Sequence, residues 1–106
     1  MMQIKKLPPF DRWFKKLKDL QAKARIQARL DRLEETGHFG DVKTVEHPVC
    51  EMRFFFGDGY RVYYLQENES IVLLLIGGDK TSQQDDIKKA VQLAAAYLEL
   101  KERHHD

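Results

Sequence analysis

The chain is poor in the residues that mark most kinds of site. Its single cysteine, Cys50, cannot close an internal disulfide, which removes the stapled secreted scaffolds and fits a reducing compartment. With no activating base near it in sequence, Cys50 reads as a small buried hydrophobe. There is no Cys-x-x-Cys and no His-x-x-x-His. His38 and His47 stand alone, and His104 and His105 belong to a terminal stretch, Arg103-His104-His105-Asp106, expected to be a solvated tail. Neither a metal nor another cofactor is expected. Gly78-Asp79-Lys80-Thr81 lacks the earlier glycine and the Gly-Lys pair of a nucleotide-binding loop, and no serine, histidine and acid suggest a triad. No apolar run approaches the roughly 20 residues of a membrane span. The start, Met1-Met2-Gln3-Ile4-Lys5-Lys6, has basic residues but no apolar signal region after them. A cytoplasmic protein without membrane contact is the expectation.

What is present fits a globular protein. The 106 residues suffice for a single domain, expected to span 1–106, around a single core. A composition of 42% hydrophobic and 33% charged residues argues against disorder. The net charge of +1 conceals an asymmetry. Residues 1–36 hold ten Lys or Arg against five acids, 37–66 hold three against four, and 67–106 hold five against eight. A basic front half on a near-neutral chain points to a polyanion or an acidic partner segment.

Local patterns give an order of elements. Gln3 to Leu7 is a short strand with Ile4 inward, broken by Pro8-Pro9. Asp11 is a candidate N-cap for a helix over Arg12 to Lys18, and Asp19 for a second over Leu20 to Thr36, which Gly37 would end. Ile26, Leu30 and Leu33 form the apolar stripe of that second helix, while Lys15, Lys16, Lys18, Lys23, Arg25, Arg29 and Arg32 cover the outer faces. Val42 to Val45 is a further short strand. Cys50 to Phe56 and Tyr60 to Tyr64 form a hairpin, and Ile71 to Ile76, apolar at every position, requires cover on both faces. A last helix runs from about Gln83 to Lys101 over Ile87, Val91, Ala94 and Leu98. The fold class is therefore α+β: a mostly antiparallel twisted sheet of four or five strands with an N-terminal helical hairpin and a C-terminal helix, the helices on one face.

Strand parity singles out a cationic set. A three-residue loop Gly57-Asp58-Gly59 would pair Phe56 with Tyr60 and Arg53 with Tyr63. Glu51, Arg53, Phe55, Arg61 and Tyr63 then share a face, with Met52, Phe54, Phe56, Val62 and Tyr64 on the core side. A concave face bearing Glu51, Arg53, Arg61 and Tyr63 can bind a phosphodiester and stack a base. The plainer reading is a cross-strand ion pair between Glu51 and a neighbouring arginine.

These blocks carry a resemblance. Glu51-Met52-Arg53, Gly59-Tyr60-Arg61-Val62-Tyr63-Tyr64, Leu75-Ile76-Gly77-Gly78-Asp79-Lys80 and Asp85-Asp86-Ile87, preceded by Trp13-Phe14 and Gly37-His38-Phe39-Gly40-Asp41, resemble the RelE/ParE toxin superfamily over nearly the whole chain. The likeness is greatest to its phage-related "addiction module killer protein" branch, near the HigB-type toxins. The resemblance implies a RelE-like fold related to microbial ribonucleases, and a type II toxin whose cognate antitoxin is a helix-turn-helix protein. It also implies metal-independent cleavage of mRNA on the ribosome, an mRNA interferase that blocks translation. The alternative is a ParE-like toxin that inhibits DNA gyrase without chemistry. Under the first reading Arg61, Arg53 and Lys80 fall at or near the catalytic cations. Where RelE-like enzymes often carry a Tyr or His after the last of these, Thr81 to Asp86 has neither, which leaves Glu51 as candidate base and Lys80 as candidate acid. Lys43, His47 and Tyr63, with Lys15 and Lys16 on the helical hairpin, are the expected RNA-binding residues.

Overall fold

The structure is a computed structural model and describes residues 1–104; the last two residues of the expected tail, His105 and Asp106, lie outside them. The elements follow in the order β1 (Gln3–Lys6), α1 (Pro8–Lys16), α2 (Leu20–Thr36), β2 (Val42–Glu46), β3 (Val49–Arg53), β4 (Arg61–Asn68), β5 (Ile71–Gly78) and α3 (Gln83–Arg103). The five strands lie side by side as β1-β5-β4-β3-β2. β1 runs parallel to β5 and every other neighbouring pair is antiparallel. The fold is α+β, as the patterns indicate.

The helices do not share a face. Val62, Tyr64, Val72 and Leu74 pack with Phe10 of α1 and with Ala22, Ile26, Leu30 and Leu33 of α2. The alternate positions Tyr63, Leu65, Leu73 and Leu75 pack with Ala90 and Ala94 of α3. The physical cause is the period-2 alternation of side chains along a strand. A strand apolar at every position has two faces to remove from water, and one helical layer covers only one.

Local chemistry fixes the helix ends. Leu7 is extended, Pro8 and Pro9 open α1, and the Asp11 N–H donates to Leu7 O at 3.2 Å. The prolines thus begin the helix as well as ending the strand, since a first-turn residue has no use for its N–H. Asp11 is not the cap but an acid in the first turn, where the helix dipole favours it. Asp19 does cap α2, its carboxylate accepting from Ala22 N–H at 3.0 Å. Gly37 closes α2 at φ 77°, its N–H on Leu33 O at 2.8 Å.

The central hairpin differs from the expected register by two residues. Arg53 pairs with Arg61 and Glu51 with Tyr63. The loop runs from Phe54 to Tyr60, closed by Phe54 N–H on Tyr60 O at 3.0 Å and by Gly59 N–H on Phe56 O at 3.1 Å. Phe54, Phe56 and Tyr60 leave the ladder and pack on one another at centroid distances of 5.9 and 6.0 Å, with Trp13 6.5 Å from Tyr60. Burying those rings outweighs two more rungs of sheet. A slip of two keeps every side chain on its expected face, so the same-face set survives although its partners change.

Candidate nucleic-acid interface

Strands β3 and β4 place Glu51, Arg53, Arg61 and Tyr63 on the α3 face, and the register extends the row to Lys43 on β2 and Ile76 on β5. The face is not open. The first turns of α3 lie across it, leaving Glu51 1% and Tyr63 0% exposed. Gln83, the first residue of α3, donates to Glu51 Oε2 at 2.8 Å, and Arg61 Nε stands 3.6 Å from the same oxygen. The cross-strand ion pair is therefore real and sits beneath the helix. Tyr63, expected to stack a base, has no exposed surface on which one can lie.

Burial sets the electrostatics here. The Tyr63 phenol is held above its ordinary value by desolvation first, then by the Glu51 and Asp86 carboxylates, and its hydroxyl has no hydrogen-bond partner. Desolvation also raises the Asp86 carboxyl, although the Ser82 hydroxyl donates to it at 2.5 Å. Asp86 can come so close because position 78 is glycine: a Cβ on Gly78 would lie 1.8 Å from Asp86 Oδ2. This glycine seats the start of α3 on the end of β5.

The open part of the cationic set lies at the end of the sheet, around the hairpin loop. Arg53 closes β3, its Nη2 donating to Asp41 Oδ1 at 2.9 Å. Arg61, with 17% of its side chain exposed, donates from Nη1 to Gly59 O at 2.7 Å. Lys80 is exposed, and its N–H meets Asp58 O at 3.3 Å, which ties the β5–α3 turn to the hairpin loop. A Cβ on Gly59 would stand 3.4 Å from Lys80 Cδ and 3.5 Å from Arg61 Nη1. The aliphatic stem of Lys80 and the guanidinium of Arg61 thus both border Gly59, and cationic side chains set on one loop rim can hold a phosphate.

The remaining expected residues are dispersed. Lys43, on the edge strand β2, and His47, in the turn after it, are exposed. Lys15 and Lys16 end α1, in the helical layer on the opposite side of the sheet from Glu51. Among the described residues no three His, Cys, Asp or Glu are grouped so as to hold a metal ion.

Arg29 has a different place from the one expected. Arg29 does not cover an outer face. It turns inward, donating to Phe39 O at 3.0 Å, to Asp41 O at 2.6 Å and to Arg53 O, with its guanidinium 4.5 Å from the centre of the Phe54 ring. Burial lowers its pKa from the ordinary value against the opposing pull of Asp41 and Tyr64. Arg29 therefore positions both Asp41 and Arg53. The available signal was Gly40: at φ 79°, a Cβ there would sit 2.6 Å from Arg29 Nε.

A protein of Haemophilus influenzae described as an uncharacterized protein is 50% identical over 93 residues, which are 88% of this chain and 93% of that relative. The family model described as "Phage derived protein Gp49-like (DUF891)" matches residues 12–99, from α1 almost to the end of α3. With α2, the strands β2 to β5 and most of α3 inside that match, the chain belongs to the Gp49-like phage-derived protein family.

Proposed function

We propose that this protein is the toxin of a type II toxin–antitoxin system, of the HigB-like branch, and that it cuts mRNA on the ribosome without a metal ion. Membership of the Gp49-like family is compatible with a toxin of this kind. The observation that carries the nuclease reading is the grouping of cationic side chains at one end of the sheet: Arg53 paired in register to Arg61, and Arg61 and the stem of Lys80 both bordering Gly59. A gyrase inhibitor that performs no chemistry has no need of three cations grouped at one end of a sheet.

In the proposed reaction the 2′-hydroxyl of the target nucleotide attacks the adjacent phosphorus. The new P–O2′ bond forms as the P–O5′ bond breaks. Arg61 and Arg53 stabilise the charge gathering on the non-bridging oxygens, often the largest single contribution. Lys80, the most accessible of the three, protonates the departing 5′-oxygen. Glu51 takes the 2′-hydroxyl proton only if Gln83 and the first turn of α3 move off it, so this step is linked to a movement of α3. Lys43 and His47 on the β2 side hold flanking RNA, and the basic helical hairpin with Lys15 and Lys16 meets ribosomal RNA or an acidic antitoxin segment. The partners are accordingly a cognate antitoxin, of helix-turn-helix type, and the translating ribosome in the cytoplasm.

Induced expression in growing cells separates the readings. Arrest of translation with cuts inside translated messages supports the nuclease. Arrest of replication with messages intact supports gyrase inhibition, and rescue by the neighbouring gene supports the toxin–antitoxin assignment.

A further inference from the structure

Among the described residues Phe55 is the aromatic side chain left outside both cores. It is 79% exposed, while Phe54 and Phe56 on either side pack inward. Its surroundings are not those of a stray surface residue. The Arg53 guanidinium carbon lies 5.5 Å from the centre of its ring, and that guanidinium is itself fixed by Asp41 at 2.9 Å. The loop that carries Phe55 leads on to Gly59, which the stem of Lys80 and the guanidinium of Arg61 both border. An open ring, a fixed cation over one face of it and two further cations bordering the end of the same loop match the two halves of a nucleotide, a flat base and an anionic phosphate. A protein hot spot would instead need contiguous apolar surface around the ring; here Phe54 and Phe56 turn into the core and the recorded partner of the ring is the Arg53 guanidinium.

We infer that Phe55, with the Arg53 guanidinium over one face of its ring, offers the other face as a stacking platform for one unpaired base of the bound RNA, whose phosphate lies on the side of Arg61 and Lys80. This rests on the RNA reading above and deepens it by naming the residue that holds the base. Every base has a π-face, so the platform tolerates all four and favours the larger purines.

The test uses ribosomes programmed with an mRNA that carries 2-aminopurine in the A-site codon and 2′-O-methyl groups that block cleavage. Binding is followed by co-sedimentation and stacking by loss of 2-aminopurine fluorescence. The wild type should bind and quench at one codon position. Phe55→Ala should lose the quench and bind about 5- to 150-fold more weakly, the range for removing one base stack. Phe55→Tyr should restore both, Phe55→Leu neither, and all variants should melt with the wild type because the ring is exposed. A Phe55→Ala or Phe55→Leu protein that binds and quenches like the wild type overturns the platform. So does a wild type that binds without quenching at any position of the codon, although the RNA reading then stands. A wild type that fails to bind programmed ribosomes overturns both. Loss of neutralisation by the antitoxin with RNA binding unchanged would make Phe55 a protein contact and also overturn the platform.

Discussion

Arg53 and Arg61 face each other across β3 and β4 as register partners, and each is answered by its own acid, Arg53 by Asp41 at 2.9 Å and Arg61 by Glu51 at 3.6 Å. Like charges set directly opposite on a sheet repel, so the two acids are what allow two guanidiniums to occupy one rung. The pairs are not equivalent. Asp41 lies in the loop before β2 and is held from behind by Arg29, whereas Glu51 is buried under α3. The sheet thus ends in two cations of different environment, with the exposed Lys80 as a third.

The Arg61–Glu51 pair carries stability as well as charge. Arg61→Ala should destabilise the protein by about 3 kcal/mol, the low end of the cost of breaking a buried pair, because Gln83 still holds Glu51. The double variant Arg61→Ala/Glu51→Gln should recover much of that loss, since no unpaired charge remains. Urea unfolding of the three proteins checks this. A single variant within about 0.5 kcal/mol of the wild type would show that the pair is energetically idle.

Arg29 is the bolt of the hairpin end. Arg29→Met keeps the aliphatic stem but leaves three carbonyls without their donor, and should cost roughly 2–4 kcal/mol. Hydrogen exchange should rise at residues 38–41 and at the end of β3 before it rises elsewhere. Exchange that changes uniformly across the sheet would deny Arg29 this local role.

The Trp13 ring packs against Gly77, and a Cβ there would approach Trp13 Cε3 to 2.2 Å. Gly77→Ala should therefore overpack the α1–β5 contact at a cost of about 1–3 kcal/mol. Trp13 is the only tryptophan, so its fluorescence should shift to the red as the ring is pushed toward water. An unshifted spectrum with an unchanged melt would mean that α1 adjusts freely.

Glu67 on β4 ties three elements together. Tyr97 Oη and Lys101 Nζ of α3 donate to it at 2.7 and 2.6 Å, and Lys5 Nζ of β1 stands 3.6 Å away. Burial pushes its pKa up, but the bonds from Lys101 and Tyr97 and the charge of Lys5 outweigh burial and hold it below the ordinary 4.5. The folded protein thus prefers the ionised form. That stabilisation is present above 4.5 and is lost as pH falls through the lower folded value. Asp86, raised by burial, acts in the opposite sense, so the difference between the wild type and Glu67→Gln isolates Glu67. Unfolding measured from about pH 6 to about pH 3 should show the wild-type advantage shrinking toward acid. A constant difference would contradict it.

Much of the fold was legible because strand parity is robust. Met52, Phe54, Val62 and Tyr64 reach the expected core even though the hairpin is two residues out of the expected register. The unbroken apolar run of β5 announced two covered faces, and that signal should also have placed a helix over Glu51 and Tyr63. It was obscured because those two residues are polar and read as an open surface. Phe55 was expected in the strand beside Arg53, but the ladder ends at Arg53 and leaves Phe55 exposed in the loop, which the alternation of residues does not encode. Arg29 was hidden for a similar reason: its role requires three carbonyls from segments 10 to 24 residues away. The opening of α1 could have been read from Pro8-Pro9, since proline is at home in a first turn.

Lys80 and Arg61 together test the central claim most directly. Lys80 is exposed and forms no ion pair among the described residues, so Lys80→Ala should melt with the wild type. Arg61→Lys keeps a charge beside Glu51 but loses the fork that grips a phosphate in two places. Purified proteins are mixed with ribosomes carrying a defined message, and cleavage rates are read from the cut ends. The account predicts cuts inside the translated message by the wild type, a loss of about a hundred- to a thousandfold for Lys80→Ala, and partial loss for Arg61→Lys. A folded Lys80→Ala that cuts at the wild-type rate, or a wild type that leaves the message whole, would contradict it.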